Sequence, residues 1–547
     1  MSELKVFTAR AIRTMTTACP VATAVAVRDG MIVEVGSLES LEPWLSVHPH
    51  EIDERFRDAV LTPGFIDPHL HPSMAAVILP MHFVTAMPWR LPWQSVDAVQ
   101  GQENYLRRLH EIEAGLESPD EPMFSWGYHQ IWHGEVDRAA LNAISTTRPI
   151  VVWHRSFHEL YANDAAIRWM KFSESDLENH AQVDAGKGRF YESGQNLAVT
   201  RLNPYLLDEE RFAGGLERLH EVVRLGGHTT IGDMSVGSFD LDREYEAYTH
   251  AFENEHTPFR VQMIPDVSNL HTGDDEESVA LVRRLAERNS PHIEFRDHVK
   301  LYTDGAFFSE MMQLNPPGFI DGHHGEWLTA PERFTALARL YWNAGFAIHV
   351  HCTGDLGVEL ALDVLEALQW ERPRFRHGFT IEHFGLANPE QIRKLAELGA
   401  SVSANPYYLY ELSDAYYRRS IGHERATQMT PLASLRRENV TLALHTDFTM
   451  APALPLNTVW VAVNRLSESG KVMGAHERLT IDEAMRAITI DAAYVLGMEN
   501  EIGSIRAGKR ADFTVLAEDP YDTASERLKD IQVLGTVFEG TVFEQDA

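Results

Sequence analysis

The chain has 547 residues, 44% of them hydrophobic, a length that suits one large domain with added modules. Its formal net charge of −32 disfavours nucleic acid as a partner. The longest apolar run, residues 75–89, is interrupted by Pro80 and His82, so no membrane-spanning helix is predicted. Two cysteines, Cys19 and Cys352, are too few for a disulfide framework. Because the first residues also lack a secretory-signal pattern, we expect a cytoplasmic protein.

The two ends of the chain predict a small β domain. Residues 4–60 contain short alternating segments, and Asp29-Gly30 between two of them predicts a hairpin turn. Near the other end, GKRADFTVLAEDP has the pattern of turn, strand and turn. We expect residues 1–60 and 499–547 to form one composite β-sandwich domain.

Residues 61–498 alternate apolar runs with amphipathic helical stretches, which predicts an α/β fold with a parallel sheet. We count eight candidate strands, the number in a TIM-like (β/α)₈ barrel. Residues from about 75 to 225 exceed a normal βα unit and are interpreted as an insertion. The eight strands are expected to end near His69/His71, Asp233, Pro265, Lys300, His351, His383, Pro406 and Asp447.

The first candidate ligands lie in TPGFIDPHLHP, where His69 and His71 occupy alternate positions at a strand end. Alternate strand residues point to the same side, so the two imidazoles can share one metal ion. Taken alone, such a pair is more often two ordinary structural histidines, but its position after a Pro-Gly turn, an apolar strand and Asp67 favours a ligand pair.

Lys300 interrupts an otherwise apolar strand in DHVKLYTDGAF. A buried lysine is costly unless it is paired or chemically changed. It can extend to solvent or pair with Asp304. Beside a metal site, its neutral amine can instead take up CO₂ and form a carbamate that bridges two divalent ions.

Two further strands end in histidine, in FAIHVHCTGD and FTIEHFG, and a third is followed by Asp447 in VTLALHTDFTMAP. Spacing leaves His349 and His351 as alternatives for one ligand, with His383 on the next strand. Asp447 can bind a metal and act as a general base, or it can simply order a turn. Because all these side chains follow predicted strands, they are expected to converge on one site.

These motifs in this order resemble the amidohydrolase superfamily, and in particular its amidohydrolase-3 branch. VAVRDGMIVEVG, VKLYTDGAF, HVHCTGD and IGSIRAGKRADFTVL carry the resemblance over nearly the whole chain. The resemblance implies His351 rather than His349 as a ligand. It implies two divalent ions, most simply Zn²⁺, held by the residues His69, His71, Lys300 as a carbamate, His351, His383 and Asp447.

The resemblance also implies the reaction. A metal-bridging hydroxide attacks the carbonyl of an amide, formamide or cyclic amide, and Asp447 moves the proton. Alternatives are lactone or ester hydrolysis at the same site, deamination at a single metal, and a non-catalytic scaffold. Superfamily deaminases usually lack the strand lysine and carry a glutamate where this chain has Gly354, and scaffolds usually lack the ligands.

The expected substrate is a small molecule, and a homodimer is compatible with the sequence. WHRSFHELYANDAA resembles the branch's insertion motif and makes Arg155 and His158 candidate substrate contacts. Aromatic segments at 87–93 and 126–133 predict either a buried lid or an apolar pocket wall containing Trp89, Trp93 and Trp132. The chain departs from the branch pattern at His445-Thr446, where Gly-Ser is common, and at Asn405, where glutamine is common.

Overall fold

The computed structural model describes residues 3–118 and 120–545. The chain begins with β-strands, as predicted. Asp29 and Gly30 both have positive φ, 52° and 76°, and form the predicted turn between two antiparallel strands. The elements before residue 64 are β1 (Leu4–Arg13), β2 (Val21–Arg28), β3 (Met31–Gly36), α1 (Leu38–Leu45), β4 (His50–Asp53) and β5 (Val60–Pro63).

A long insertion follows the first strand of the central region. It contains a six-stranded sheet of its own and a separate two-stranded ribbon. The sheet is made, in spatial order, of the strands at residues 183–184, 189–191, 159–162, 150–154, 123–128 and 82–83. The elements from residue 65 to residue 226 are β6 (Phe65–Leu70), α2 (Pro72–Ile78), β7 (His82–Phe83), β8 (Trp89–Leu91), β9 (Gln94–Val96), α3 (Gln102–Gly115), β10 (Met123–Tyr128), α4 (Gln130–His133), α5 (Arg138–Ile144), β11 (Ile150–His154), β12 (Glu159–Ala162), α6 (Asp164–Trp169), α7 (Glu174–Glu178), β13 (Val183–Asp184), β14 (Arg189–Tyr191), α8 (Ser193–Leu206) and α9 (Glu209–Gly226).

Strands and helices follow one another to residue 495, and a strand is present at each of the eight predicted positions, with one further strand at residues 293–295. These elements are β15 (His228–Val236), α10 (Leu241–Phe252), β16 (Arg260–Pro265), α11 (Asp275–Arg284), β17 (Ile293–Phe295), β18 (His298–Tyr302), α12 (Pro331–Ala344), β19 (Ala347–Cys352), α13 (Asp355–Glu371), β20 (Thr380–His383), α14 (Pro389–Leu398), β21 (Ser401–Ala404), α15 (Ser413–Arg419), α16 (Gly422–Thr427), α17 (Leu432–Arg437), β22 (Leu442–Leu444), α18 (Pro455–Asn464), α19 (Ile481–Ala487) and α20 (Ile490–Val495).

The central strands form two parallel sheets, ordered β17-β16-β15-β6 and β18-β19-β20-β21-β22. Backbone contacts connect the two sheets at both edges. A parallel bridge joins Asp266, just after β16, to Lys300 on β18. At the other edge, the Asp447 N–H donates to the His69 carbonyl at 3.0 Å. Side chains at the carboxyl ends of these strands are thereby brought to one face.

Both ends of the chain enter one sheet. The last strands are β23 (Phe513–Leu516), β24 (Val533–Phe538) and β25 (Thr541–Glu544). β23 pairs antiparallel with β5, which gives the order β25-β24-β23-β5-β1-β2-β3, with β4 on β1. Within the described ranges, no helix has both the length and the apolar character needed to cross a bilayer.

Candidate metal centre

A cavity of about 400 Å³ lies at the carboxyl ends of the parallel strands. Its wall contains all six residues predicted as metal ligands. Each comes from a different strand or from the residues that directly follow one, apart from the His69 and His71 pair. The six are His69, His71, Lys300, His351, His383 and Asp447.

Asp447 is central to this group. Its Oδ1 lies 3.1 Å from His71 Nε2 and 3.7 Å from His69 Nε2, and its Oδ2 lies 3.6 Å from His383 Nδ1. The His383 and His351 rings are 4.4 Å apart between centroids. His383 and Asp447 have positive φ, 72° and 54°, a strained conformation for residues with a side chain. Such strain persists where the surrounding structure fixes it, and it is common at functional sites.

The predicted ligands present buried nitrogen atoms without hydrogen-bond partners among the described residues. A buried polar atom without a partner is costly, so several of them in the wall of one cavity favour the binding of a ligand there. Burial, with the positive charge of Lys300 nearby, also holds the pKa values of His69 and His351 well below the ordinary histidine value, which leaves neutral imidazole. The buried nitrogen atoms without a hydrogen-bond partner are His69 Nε2, His71 Nδ1, Lys300 Nζ, His351 Nε2 and His383 Nδ1.

Lys300 is 1% exposed on β18, so it does not extend to solvent. Burial lowers the pKa of its amine to about 8, although Glu382 and Asp447 act in the opposite direction. Its Nζ makes no hydrogen bond to Asp304; that carboxylate instead accepts from the backbone N–H groups of Thr353 and Gly354 at 3.0 and 2.8 Å. A buried, unpaired lysine amine beside histidines fits the carbamate hypothesis.

His349 and His351, which spacing alone could not distinguish, lie at different depths. His351 is in the cavity wall. His349 is fully buried and pairs through Nδ1 with Glu382 Oε1 at 2.6 Å and through Nε2 with His298 Nδ1 at 2.9 Å. Its ring nitrogens are therefore already used by protein partners.

Glu382 and His445 are parts of the site that the sequence analysis did not assign. Glu382 Oε2 lies 2.7 Å from His69 Nδ1, so the carboxylate orients a ligand while its other oxygen holds His349. The His445 ring is 4.5 Å from the His69 ring, and its Nε2 is buried without a partner. Ligand atoms of His69, His383 and His445 all lie within 4.8 Å of one another, as do those of His69, His71 and Asp447. His445 was noted only as a departure from the family pattern.

Of the five predicted substrate contacts, His158 is in the cavity wall, whereas Arg155 and the three tryptophans are absent from the described wall. His158 Nδ1 lies 2.9 Å from Glu192 Oε2. Arg155 is buried behind Phe308, forms an ion pair with Glu411 and donates to the Met450 carbonyl at 2.9 Å.

The tryptophans pack outside the cavity. Trp89 contacts Phe83 and Trp126, Trp93 lies under the Arg218 guanidinium, and Trp132 packs on His129. Trp89 is buried, and Trp93 and Trp132 are half-buried, so of the two alternatives the arrangement favours the lid. The aromatic wall consists of other residues, which are Phe157, Phe239, Tyr302, Phe307, Phe308 and Tyr408.

Comparison with known proteins agrees with this geometry. The model of the amidohydrolase family Amidohydro_3 matches residues 57–543. The chain belongs to the amidohydrolase family. The predicted family membership and the prediction of an enzyme are therefore confirmed.

Two relatives match this chain over nearly their full length. N-substituted formamide deformylase of Arthrobacter pascens is 25% identical over 99% of this chain and 98% of its own. The putative amidohydrolase YtcJ of Bacillus subtilis is 25% identical over 95% of each. An uncharacterized metal-dependent hydrolase from Pyrococcus horikoshii has a solved structure with a TM-score of 0.73 and 21% identity, covering 96% of this chain and 99% of its own. This structural likeness supports a TIM-barrel-type α/β fold.

Proposed function

We propose that this amidohydrolase cleaves the C–N bond of a small amide, formamide or cyclic amide at the cavity. The observation that carries the proposal is that five ligand candidates of one cavity wall have buried, unpaired nitrogen atoms, two of which, His69 Nε2 and His383 Nδ1, lie 3.7 and 3.6 Å from the Asp447 carboxylate. The full-length similarity to N-substituted formamide deformylase supports the choice of bond. We further propose that the eight parallel strands close into a (β/α)₈ barrel over residues 61–498, that residues 1–60 and 499–547 fold as a sandwich, and that the enzyme is cytoplasmic.

The residues fit two divalent ions, for which we propose zinc. His69, His71 and Asp447 would hold one ion, His351 and His383 the other, and Lys300 as a carbamate would bridge them. Carbamate formation joins the Lys300 nitrogen to the carbon of CO₂ and releases one proton. It converts a buried amine into an anion that would suit the divalent ions held by the neutral histidines. When bound, such ions polarise a carbonyl and lower the pKa of water.

Asp447 would move the proton. Its carboxylate accepts a proton from the attacking water and delivers it to the leaving nitrogen, which is a poor leaving group until protonated. Asp447 suits this role because it is in the cavity wall and contacts ligands from two strands. Around the reacting carbonyl, the aromatic wall favours an apolar or aromatic substituent. His158 is the proposed polar contact of the substrate.

A substrate panel tests the proposal. Formamides, acetamides and cyclic amides bearing benzyl or hexyl groups, their oxygen esters, and aminopurines would be incubated with zinc-loaded and chelator-treated protein. We expect turnover of at least one amide class, its loss on chelation and its return with zinc. Preferred hydrolysis of the esters would redirect the assignment to ester or lactone hydrolysis. Turnover of aminopurines without amide hydrolysis would contradict it.

A further inference from the structure

The cavity extends beyond the metal ligands along α8. This helix lines it with one face, whose residues recur every three or four positions. From Glu192, which caps the helix, to Asn203 the face is about 16 Å long at 1.5 Å per residue. We call this part of the cavity the α8 arm. Its α8 residues are Gln195, Asn196, Val199, Thr200 and Asn203.

Outside the metal ligands, two atoms of described wall residues are buried without a hydrogen-bond partner. They are Glu192 Oε1 and Asn203 Oδ1, and both are acceptors. Glu192 is 7% exposed, and its other oxygen, Oε2, is already engaged by His158. A buried carboxylate oxygen left unpaired carries a desolvation cost, so a ligand that donates a hydrogen bond is favoured there.

The charged groups of the cavity wall also favour a hydrogen-bond donor over an anion. Carboxyl groups come from Glu192, Asp233, Asp266 and Asp447, although burial raises the pKa of Asp233 to about 8 and leaves it mostly uncharged at neutral pH. Lys300 is the single lysine or arginine among the described wall residues. Arg155, the nearby arginine, is neutralised by Glu411 behind the wall. Along the α8 arm, beyond the proposed ions, a carboxylate on the substrate would therefore meet Glu192 without an arginine to bind it.

We propose that the α8 arm binds a substituent of the substrate that donates hydrogen bonds, an ammonium or a hydroxyl group, to Glu192 Oε1. The inference rests on the proposed function, since it places the scissile carbonyl at the metal ligands. The His158 ring is 6.0 Å from the His351 ring and 2.9 Å, at Nδ1, from Glu192. Glu192 thus lies one side chain beyond a ligand, which suits a donor a few carbon atoms from the scissile bond.

Four formamides that share a butyl linker test this proposal. N-(4-aminobutyl)formamide and N-(4-hydroxybutyl)formamide carry a donor, N-pentylformamide carries a methyl group, and 5-formamidopentanoate carries a carboxylate. We expect kcat/KM for at least one donor substrate to exceed that for the methyl substrate by about tenfold or more, as for a hydrogen bond to a charged group. The carboxylate should be the poorest. The ranking of amine and hydroxyl distinguishes the two donors.

Two variants test whether Glu192 causes the preference for donor substrates. Glu192→Gln should reduce the advantage of the amine by about tenfold, while the methyl substrate changes much less. Arg201→Gln is the matched control, since Arg201 is an exposed residue of α8, 3.8 Å from Asp176, and is absent from the wall. It should leave the ranking unchanged. An equal loss for every substrate in Glu192→Gln, as expected if the variant merely displaced His158, would overturn the proposal.

Calorimetry separates this proposal from the proposed reaction, because binding requires no turnover. Zinc-loaded protein would be titrated with 1,4-diaminobutane and with pentylamine. Tighter binding of the diamine that is lost in Glu192→Gln supports the α8 arm even if none of the formamides is hydrolysed. Equal binding of both amines by the wild-type protein, together with equal kcat/KM across the four formamides, would refute it.

Discussion

Glu382 connects the candidate metal centre to the interior of the central sheets. It holds His69 through one oxygen and His349 through the other, and His349 continues to His298. The carboxylate orients the His69 ring so that Nδ1 faces Glu382 and Nε2 faces Asp447. A carboxylate behind a ligating histidine fixes the ring tautomer and makes the ligand more basic.

Glu382→Gln should therefore weaken zinc binding by about 10- to 100-fold, the usual effect of removing such a partner. The measurement is competition with a chromophoric chelator, together with the melting temperature of the metal-free protein. Glu411→Gln is the control, because Glu411 is a buried carboxylate that pairs with Arg155 rather than with a histidine. Equal zinc affinities in Glu382→Gln and the wild type would refute this role.

Asp447→Asn should retain metal and lower kcat by about 10²- to 10⁴-fold, the contribution expected of a positioned general acid–base. Asparagine keeps the size of the side chain and one oxygen that can bind metal, but it cannot take up the proton. KM should change less than kcat. If the variant keeps its metal and its kcat stays within a few fold of wild type, another group moves the proton.

Lys300→Ala removes the amine that would carry the carbamate. Activity should fall severely, and short carboxylic acids should restore part of it by occupying the bridging position. The buried Nζ without a partner motivates this expectation. Lys300→Met, which fills the same space without the amine, controls for the cavity that alanine leaves. Wild-type turnover and metal content in both variants would contradict the assignment.

The ligand candidates could be named from the sequence because a polar residue in or just after an apolar strand is conspicuous, but the choice of His351 over His349 depended on the family resemblance. Glu382 and His445 could not be named, because their roles depend on contacts between distant segments. Glu382 meets His69 across 313 residues, and nothing local in TIEH indicates that partner. Arg155 and the tryptophans show the converse limit. The family motif suggested Arg155 and residue type suggested the tryptophans as pocket contacts, but all four pack outside the described cavity wall.

At the level of elements, the central strands were predictable and the insertion sheet was not. Most central strands are largely apolar, and apart from β17 and β18, which follow each other directly, each is separated from the next by at least one helix. In the insertion, β7 and β13 are two residues long and lack any readable period. Their pairing is decided by tertiary contacts.

The helices α2 and α9 approach closely at Gly215, where an added Cβ would lie 2.0 Å from the Ala76 carbonyl oxygen. α2 starts directly after His71, so this packing supports a ligand. Gly215→Ala should therefore lower the free energy of unfolding by about 1–3 kcal/mol.

Gly214→Ala is the matched control in the same helix, because an added Cβ there has no neighbour within 4 Å. It should be neutral or stabilising, by up to about 1 kcal/mol, since alanine favours the helix. Chemical denaturation measures both variants. Equal stabilities for the two would contradict the close approach of α2 and α9.

At the scale of the whole molecule, the chain ends fix the sheet that flanks the central region. Arg260 on β16 is fully buried and donates to Asp512, just before β23, at 2.6 Å. The pairing of β5 with β23 joins segments more than 440 residues apart. The turn at Asp29-Gly30 was predictable because it is local, whereas this register depends on the complete fold.

The overall charge of −32 contrasts with a centre whose unpaired atoms are nitrogens. The field of the molecule favours cations over anions in its surroundings. This agrees with divalent ions at the centre and with a donor group in the α8 arm, and it disfavours strongly anionic substrates.

The central claim is that six residues of the cavity wall hold two divalent ions. They are His69, His71, Lys300, His351, His383 and Asp447. Anomalous X-ray scattering from crystals of zinc-loaded protein, measured on both sides of the zinc absorption edge, tests it directly. We predict two peaks per chain, each about 2.0–2.3 Å from atoms of the named residues, with Lys300 between them. A single peak, or peaks bound elsewhere while the cavity is empty, would contradict the account.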